Sequence, residues 1–448
     1  MHIPLGFCTS HSSMSERATK LIMRATRHVL LVLMLAGACA AQEPLIRENT
    51  APIAEAVRAS IDRGRISGAV VRVSVGGKPI LFEAYGQAHE GREMRRDALF
   101  RIASMTKPIT SVGIMVLVEE GQLGLDDPLD RFIPEFAGAR VQDREKGNVP
   151  LKRAITLRDL LTHTSGIGYA VKPPEERKDA QIDFKLADGL NPEDPILEAN
   201  IRAYARMPLL HQPGERWTYG MNTDILGRVI EVASGMPLDA FLEARIFRPL
   251  RMRDTAFRVT PEKAGRLAGF FTPGSDPDQR VKEVETETLE SGGTTLWIRR
   301  VFGPVHYLSG GAGLVSTADD YGRFLQMMLD EGELDGVRLL KAETVREMTR
   351  NQIGSLSCGF PIHGDQFGLG FGITTLPGRA SIGSYSWGGM YHTFFWVDPR
   401  VKLTAIVMTQ LWPWGESTLW EDFQESVYAA LGRLEAIETA GGKAGLEP

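Results

Sequence analysis

Apolar residues recur at helical spacing over 52–63 (PIAEAVRASIDR) and stop before Gly64, which predicts a first helix. Two β-type runs follow, AVVRVSV and PILFEAY. Gly76-Gly77 joins them, a hairpin signal between Gly68 and Tyr85. Leu99, Phe100 and Ile102 are β-compatible, and the chain from Thr110 to Val118 is almost wholly apolar and helical, a core segment. Glu119-Glu120-Gly121 gives that helix a glycine stop. Leu123 to Phe136 is punctuated by prolines and turn residues and reads as irregular. From about 155 to 255 the pattern is mainly helical. Thr156 caps a short helix with Asp159 in its third position, and helices follow at about 195–207, 222–234 and 237–246. Residues 171–194 are a polar surface excursion, and 258–305, weakly periodic with an acidic centre, read as an extended loop.

The last third changes character. Helices at 317–330 and near 341–350 give way to alternating β-type runs at 367–375, 380–387, 391–398 and 402–410, before a final helix over 417–432. Strands at both ends of the chain with helices between predict one sheet assembled from the two termini and a helical insertion beside it, an α+β organisation.

Composition alters this picture little. The 448 residues, 43% hydrophobic and 24% charged, fit a soluble globular protein of one large body or two domains. A net charge of −5 argues against electrostatic nucleic-acid binding, so no nucleic-acid partner is expected. The N-terminus adds a destination. Arg24 and Arg27 precede the apolar run Val29–Ala36, and Gly37-Ala38-Cys39-Ala40-Ala41 follows, the three parts of a signal peptide. The run is short for a membrane span. The expectation is export to the periplasm or beyond, with Met14 or Met23 as alternative starts. A lipid anchor on Cys39 is the minority alternative, and a membrane is expected as a partner only through the signal or that anchor. Of the three cysteines, Cys8, Cys39 and Cys358, cleavage after Ala40 leaves Cys358 alone, so no disulfide is expected.

Candidate chemistry centres on Ser104-Met105-Thr106-Lys107. The layout puts Ser104 at a helix start with Lys107 on the same face, and Pro108 is tolerated in a first turn. Serine needs a base to become a nucleophile, and a lysine desolvated by an apolar helix is a candidate. S-x-x-K is a catalytic motif, yet about one chance occurrence is expected in a chain this long. No G-x-S-x-G elbow and no H-E-x-x-H or H-x-H pair occurs, so neither a metal site nor another cofactor is expected.

Further segments decide the weight of that tetrapeptide. FRIASMTKPIT (100–110), LLTHTSGI (160–167), PGERWTYG with TDILGRVIEVASGM (213–236), SGGAGLVSTADDYGRF (309–324) and WGGMYHTFFWVDP (387–399) occur in this order. Over about residues 50–435 the chain resembles the serine β-lactamase-like superfamily. Within it the chain is most similar to family VIII carboxylesterases, relatives of class C β-lactamases and D-alanyl-D-alanine carboxypeptidases. The resemblance implies an α+β, β-lactamase/transpeptidase-like fold, with an antiparallel sheet from both chain ends and a mainly helical second subdomain. Residues 1–41 would be signal and extension, 42–435 the catalytic domain and 436–448 a tail. Its α/β part would span about 48–100 and 310–435, and its helical part about 101–309.

The resemblance places the nucleophile on Ser104, its lysine on Lys107 and the tyrosine base on Tyr219. It places the oxyanion-hole N–H groups on Ser104 and Met390. Trp387-Gly388-Gly389 stands where β-lactamases have Lys-Thr-Gly, the esterase form. Asn222 falls one place late for the Y-x-N motif, and His392 stands where the esterases usually have glycine. Trp387, Gly388, Gly389, Asn222 and His392 are the expected substrate-binding residues. Lysine and tyrosine ordinarily titrate near about 10. Without a second lysine, Tyr219 is expected to rely on Lys107 alone unless His392 or an arginine approaches. His163, in a helix-to-loop transition, is read as structural and bonded to backbone. The expected activity is cleavage of uncharged carboxylic esters through an acyl-enzyme. The alternatives are β-lactamase or D-alanyl-D-alanine carboxypeptidase activity, or a non-catalytic cell-wall binding module.

Overall fold

A computed structural model describes residues 49–143, 145–169, 186–190, 193–274, 280–284, 288–291, 294–298, 301–359, 364–415 and 417–443. The signal segment 1–41 with Cys39, most of the excursion 171–194 and the end of the tail lie outside them. The chain divides into two compact units, Ile53–Tyr428 and a smaller one made of Met1–Pro52 with Ala429–Pro448.

The larger unit is built on one eight-stranded antiparallel sheet. Its strands in chain order are β1 (Gly68–Val75), β2 (Lys78–His89), β3 (Arg92–Glu93), β4 (Gln366–Phe367), β5 (Gly372–Ile373), β6 (Tyr385–Gly389), β7 (Thr393–Asp398) and β8 (Leu403–Met408). They lie side by side as β4-β5-β6-β7-β8-β1-β2-β3. The N-terminal hairpin thus joins the C-terminal meander through β1 and β8, with Val70 opposite Met408 and Val75 opposite Leu403. Every residue of β7 and β8 is buried. These central strands are covered on both faces, which is why TFFWVD and LTAIVM read as near-continuous apolar runs instead of the expected alternation. The Gly76-Gly77 turn has positive φ at both residues, the backbone a two-residue hairpin requires.

The helix Thr106–Glu119 is buried from Thr106 to Leu117. It starts four residues earlier than the apolar run, because Ala103–Met105 form a 3-10 turn that feeds it. Gly121, at φ 72, ends it as expected. Gly113 lets the helix Asn222–Ser234 approach, since a Cβ there would meet Ile230 Cδ1 at 3.1 Å. Thr156 and Asp159 form a full capping box.

Two expectations are corrected. The span 258–305 is not one open loop: Phe271–Thr272 pairs with Lys282–Glu283, and Thr288–Ser291 pairs with Thr294–Trp297. Pairs this short are below the length at which alternation is visible. The run 367–375 is broken into β4 and β5 by a turn through Gly370, which has φ 93.

Candidate active site

The short strand Phe100–Arg101 pairs with Val315–Ser316 and delivers the chain into the 3-10 turn holding Ser104. Ala103, fully buried, takes φ 42. A left-handed alanine costs about 1–2 kcal/mol and is tolerated only where packing over-determines it. Ser104 is almost covered and Lys107 is 1% exposed.

Lys107 Nζ donates to three oxygens: Ser104 Oγ at 3.2 Å, Tyr169 Oη at 3.2 Å and the Gly311 carbonyl at 2.8 Å. It also sits over the Tyr219 ring, 4.7 Å from the centroid. The phenol oxygen of Tyr219 accepts a bond from Trp387 Nε1 at 3.3 Å. An indole N–H therefore points at the phenol where the β-lactamase motif would bring a lysine. Ser104, Lys107, Tyr219 and Trp387 are thus brought together, although Lys107 meets Tyr219 through its ring and takes the Tyr169 hydroxyl as a direct partner.

Beneath Tyr219 lies a buried polar network. His163, at φ 57, packs against the Tyr219 ring with centroids 4.8 Å apart. Its Nδ1 accepts from Asn222 Nδ2 at 2.8 Å, and the same amide nitrogen reaches the Ile167 carbonyl at 3.3 Å. Ser165 Oγ bonds Asn222 Oδ1. His163 is therefore structural, but its ring partner is the Asn222 side chain and not backbone. Burial, reinforced by the Lys107 cation, pushes the imidazole well below its ordinary range and keeps it neutral.

Asn222 consequently does not bind substrate; it is fully buried and its amide is committed within the fold. His392 is corrected likewise. Its ring is buried, stacked 5.5 Å from Trp414 and 5.2 Å from Trp420, and is not among the residues that line the cavity. Burial lowers it to about 3. Its φ of 70 gives the physical reason for glycine at this position in the esterases.

A cavity of about 570 Å³ opens over Ser104. Tyr169, Tyr219, Trp387, Trp412, Trp414 and Trp420 form most of its wall, with Gly388, Gly389 and Met390 along one side. The β5 ladder ends at Ser386, while the β7 ladder runs on to Gly389, so Trp387–Gly389 lie beyond the end of β5. Gly389 has a further task. A Cβ there would stand 2.4 Å from the Ile102 carbonyl, so the glycine allows the strand to lie against the Ser104 turn. Asp188 is the one charged side chain among the described lining residues.

Three features escaped sequence reasoning. Tyr169 follows the Ser165-Gly166 turn closely enough to have been suspected; burial, then Tyr219 and Asp224, push its phenol well above the ordinary range. Asp224 is fully buried, with Tyr307 Oη at 2.9 Å and Ser309 Oγ at 2.6 Å on Oδ1. Burial raises its carboxyl, against the opposing pull of Ser309 and the Lys107 cation. Asp224 stands in the first turn of the helix Asn222–Ser234, where an acid is ordinary, so the sequence carried no distinct signal for it. The tryptophans of 412–420 carried none.

Fold and site together describe a serine-and-lysine centre on an antiparallel sheet, and comparison with known proteins places it. The β-lactamase family model matches residues 53–427, and the chain belongs to that family. Esterase EstB of Burkholderia gladioli is 35% identical over 358 residues, which cover 77% of this chain and 86% of EstB. Lovastatin esterase of Penicillium rubens is 33% identical over 310 residues, covering 66% and 72% of the two chains. The solved structure of EstCE1, a hydrolase with promiscuous acyltransferase activity, superposes with a TM-score of 0.74 at 26% identity, covering 86% of this chain and 99% of EstCE1. The protein is an enzyme of the esterase-type hydrolases within this family.

Proposed function

We propose that this enzyme cleaves uncharged carboxylic esters through an acyl-enzyme on Ser104, with Lys107 and Tyr219 moving the proton. The observation that carries the reading is the 3.2 Å bond between Lys107 Nζ and Ser104 Oγ at the floor of an aromatic cavity. Tyr219, acting as the phenolate, takes the proton of Ser104 Oγ as that oxygen attacks the ester carbonyl carbon, while the Lys107 ammonium, bonded to Oγ and lying over the Tyr219 ring, offsets the negative charge. The carbonyl oxygen gathers negative charge and takes hydrogen bonds from the Ser104 and Met390 N–H groups. Tyr219 then hands the proton to the departing alkoxide; the phenolate so restored takes a proton from water as it attacks the acyl carbon, and returns that proton to Ser104 Oγ as the acid leaves. Among the described lining residues there is no cation for a substrate carboxylate. This favours neutral esters over β-lactams and peptidoglycan stems.

The test measures p-nitrophenyl esters and a chromogenic cephalosporin in parallel. Ser104→Ala is expected to abolish turnover of both, and Tyr219→Phe to lower kcat by about 10²–10⁴-fold. Tyr169→Phe should lose about tenfold or less, a positioning loss below the proton-transfer range. Full activity in Ser104→Ala refutes the acyl-enzyme. A larger loss in Tyr169→Phe than in Tyr219→Phe transfers the base to Tyr169. A cephalosporin turned over far faster than every ester refutes the substrate class.

A further inference from the structure

Strand β6 ends in a tight turn, Met390–His392, in which His392 N bonds back to the Gly389 carbonyl at 2.9 Å. All three carbonyls of this turn are held by one other segment. Trp414 Nε1 donates to the Met390 oxygen at 2.8 Å, Leu411 N to the Tyr391 oxygen at 3.1 Å and Trp420 Nε1 to the His392 oxygen at 3.5 Å. The His392 ring packs on both indoles, and Trp414 lies 4.6 Å from Trp420. The holding segment is itself anchored, because Trp412 N donates to the Phe271 carbonyl at 3.1 Å and Phe271 N to the Gln410 carbonyl at 3.0 Å.

This brace lies beside two residues that have no side chains. Gly388 and Gly389 lead into the turn and offer no side-chain restraint of their own, so hydrogen bonds must hold the backbone there. An N–H group serves an oxyanion only when its direction is fixed before charge develops. The Met390 N–H shares its peptide plane with the Gly389 carbonyl, which His392 N holds, and the Trp414 bond to the Met390 carbonyl fixes the next plane of the turn and so keeps that closure in place.

We propose that Trp414 is a positioning residue for ester cleavage: its indole N–H holds the Met390 carbonyl and thereby keeps the Met390 N–H aimed at the substrate's carbonyl oxygen. The proposal rests on the acyl-enzyme reading and on Met390 as the second oxyanion donor. It separates the two roles of the residue, since the ring is cavity wall while the N–H braces the turn.

Trp414→Phe retains an aromatic wall and removes the donor. The measurement compares p-nitrophenyl acetate with its thiono analogue, whose C=S sulfur accepts hydrogen bonds poorly, in wild type, Trp414→Phe and Ser104→Ala. Wild type is expected to prefer the oxo ester strongly. In Trp414→Phe, kcat on the oxo ester should fall about tenfold with KM within about twofold, and the oxo-to-thiono ratio should shrink by a similar factor. A wild-type ratio in Trp414→Phe overturns the proposal, as does a loss confined to KM, which would leave Trp414 as wall only. Activity surviving in Ser104→Ala would instead sink the acyl-enzyme reading, whatever the ratio does. Should Trp414→Phe fail to fold, Trp420→Phe reads the same brace from its other end: a smaller ratio supports it, and an unchanged ratio overturns it.

Discussion

Gly311 sits between the two buried charges of the site, and adding one methyl group there tests how tightly they are held. Its carbonyl accepts from Lys107 Nζ at 2.8 Å. A Cβ built on it would stand 2.2 Å from Asp224 Oδ2 and 3.5 Å from Lys107 Nζ. An ordinary carbon–oxygen contact is at least about 3.2 Å, so Gly311→Ala requires an opening of about 1 Å. Neither side yields easily. Asp224 is tied to Tyr307 and Ser309, and Lys107 is tied to Ser104, Tyr169 and Gly311 itself. A displacement of about 1 Å at a reacting group costs about 10²-fold in rate, and overpacking a closed core costs about 1–3 kcal/mol. Gly311→Ala is therefore expected to lower kcat/KM on a p-nitrophenyl ester by about 100-fold and stability in urea by about 2 kcal/mol. Gly265→Ala is the control, because a Cβ there meets nothing within 4 Å. If Gly311→Ala matches Gly265→Ala in both rate and stability, the carboxylate and the ammonium are not held as described.

Two further predictions concern stability. Burial raises Asp320 from 3.8 to about 6. Between these values the unfolded chain has lost a proton that the folded chain keeps, so this group's contribution falls as pH rises from 4 to 6, by up to about 3 kcal/mol. Asp320→Asn should remove that slope in urea midpoints measured from pH 4 to 7; an identical slope in both proteins would refute the assignment. Asn222→Leu strips the amide from His163, Ser165 and Ile167. It should cost about 2–3 kcal/mol in stability, and unchanged stability would refute the network.

The strand and helix types were legible where periodicity ran long enough. The Gly68–Tyr85 hairpin, the helix behind Ser104 and the Thr156 capping box are local decisions, made by residues within one turn of one another. The two short pairs in 258–305 were not legible, because a two-residue strand is created by its partner and leaves no pattern of its own. The central strands β7 and β8 were found, but their burial on both faces depends on what covers the sheet.

The site divides along the same line. The spacing of Ser104 and Lys107 is a property of one helical turn, so sequence alone put them on one face, and the order of later segments linked them to Tyr219 and Trp387. Tyr169, Asp224 and Gly311 enter only because separate segments converge on Lys107, and neither charge nor spacing in the chain foretells such a meeting. Asn222 and His392 were misassigned for the converse reason. Both are polar residues beside the motifs, and only packing decides whether such a side chain faces the cavity or is satisfied behind its wall. The sequence by itself determined which chemical groups this enzyme carries and which neighbours share a helical face. The tertiary structure decided which tyrosine hydroxyl and which carbonyl touch the lysine, which carboxylate opposes it and which N–H groups hold the turn, because those contacts join residues up to 204 positions apart.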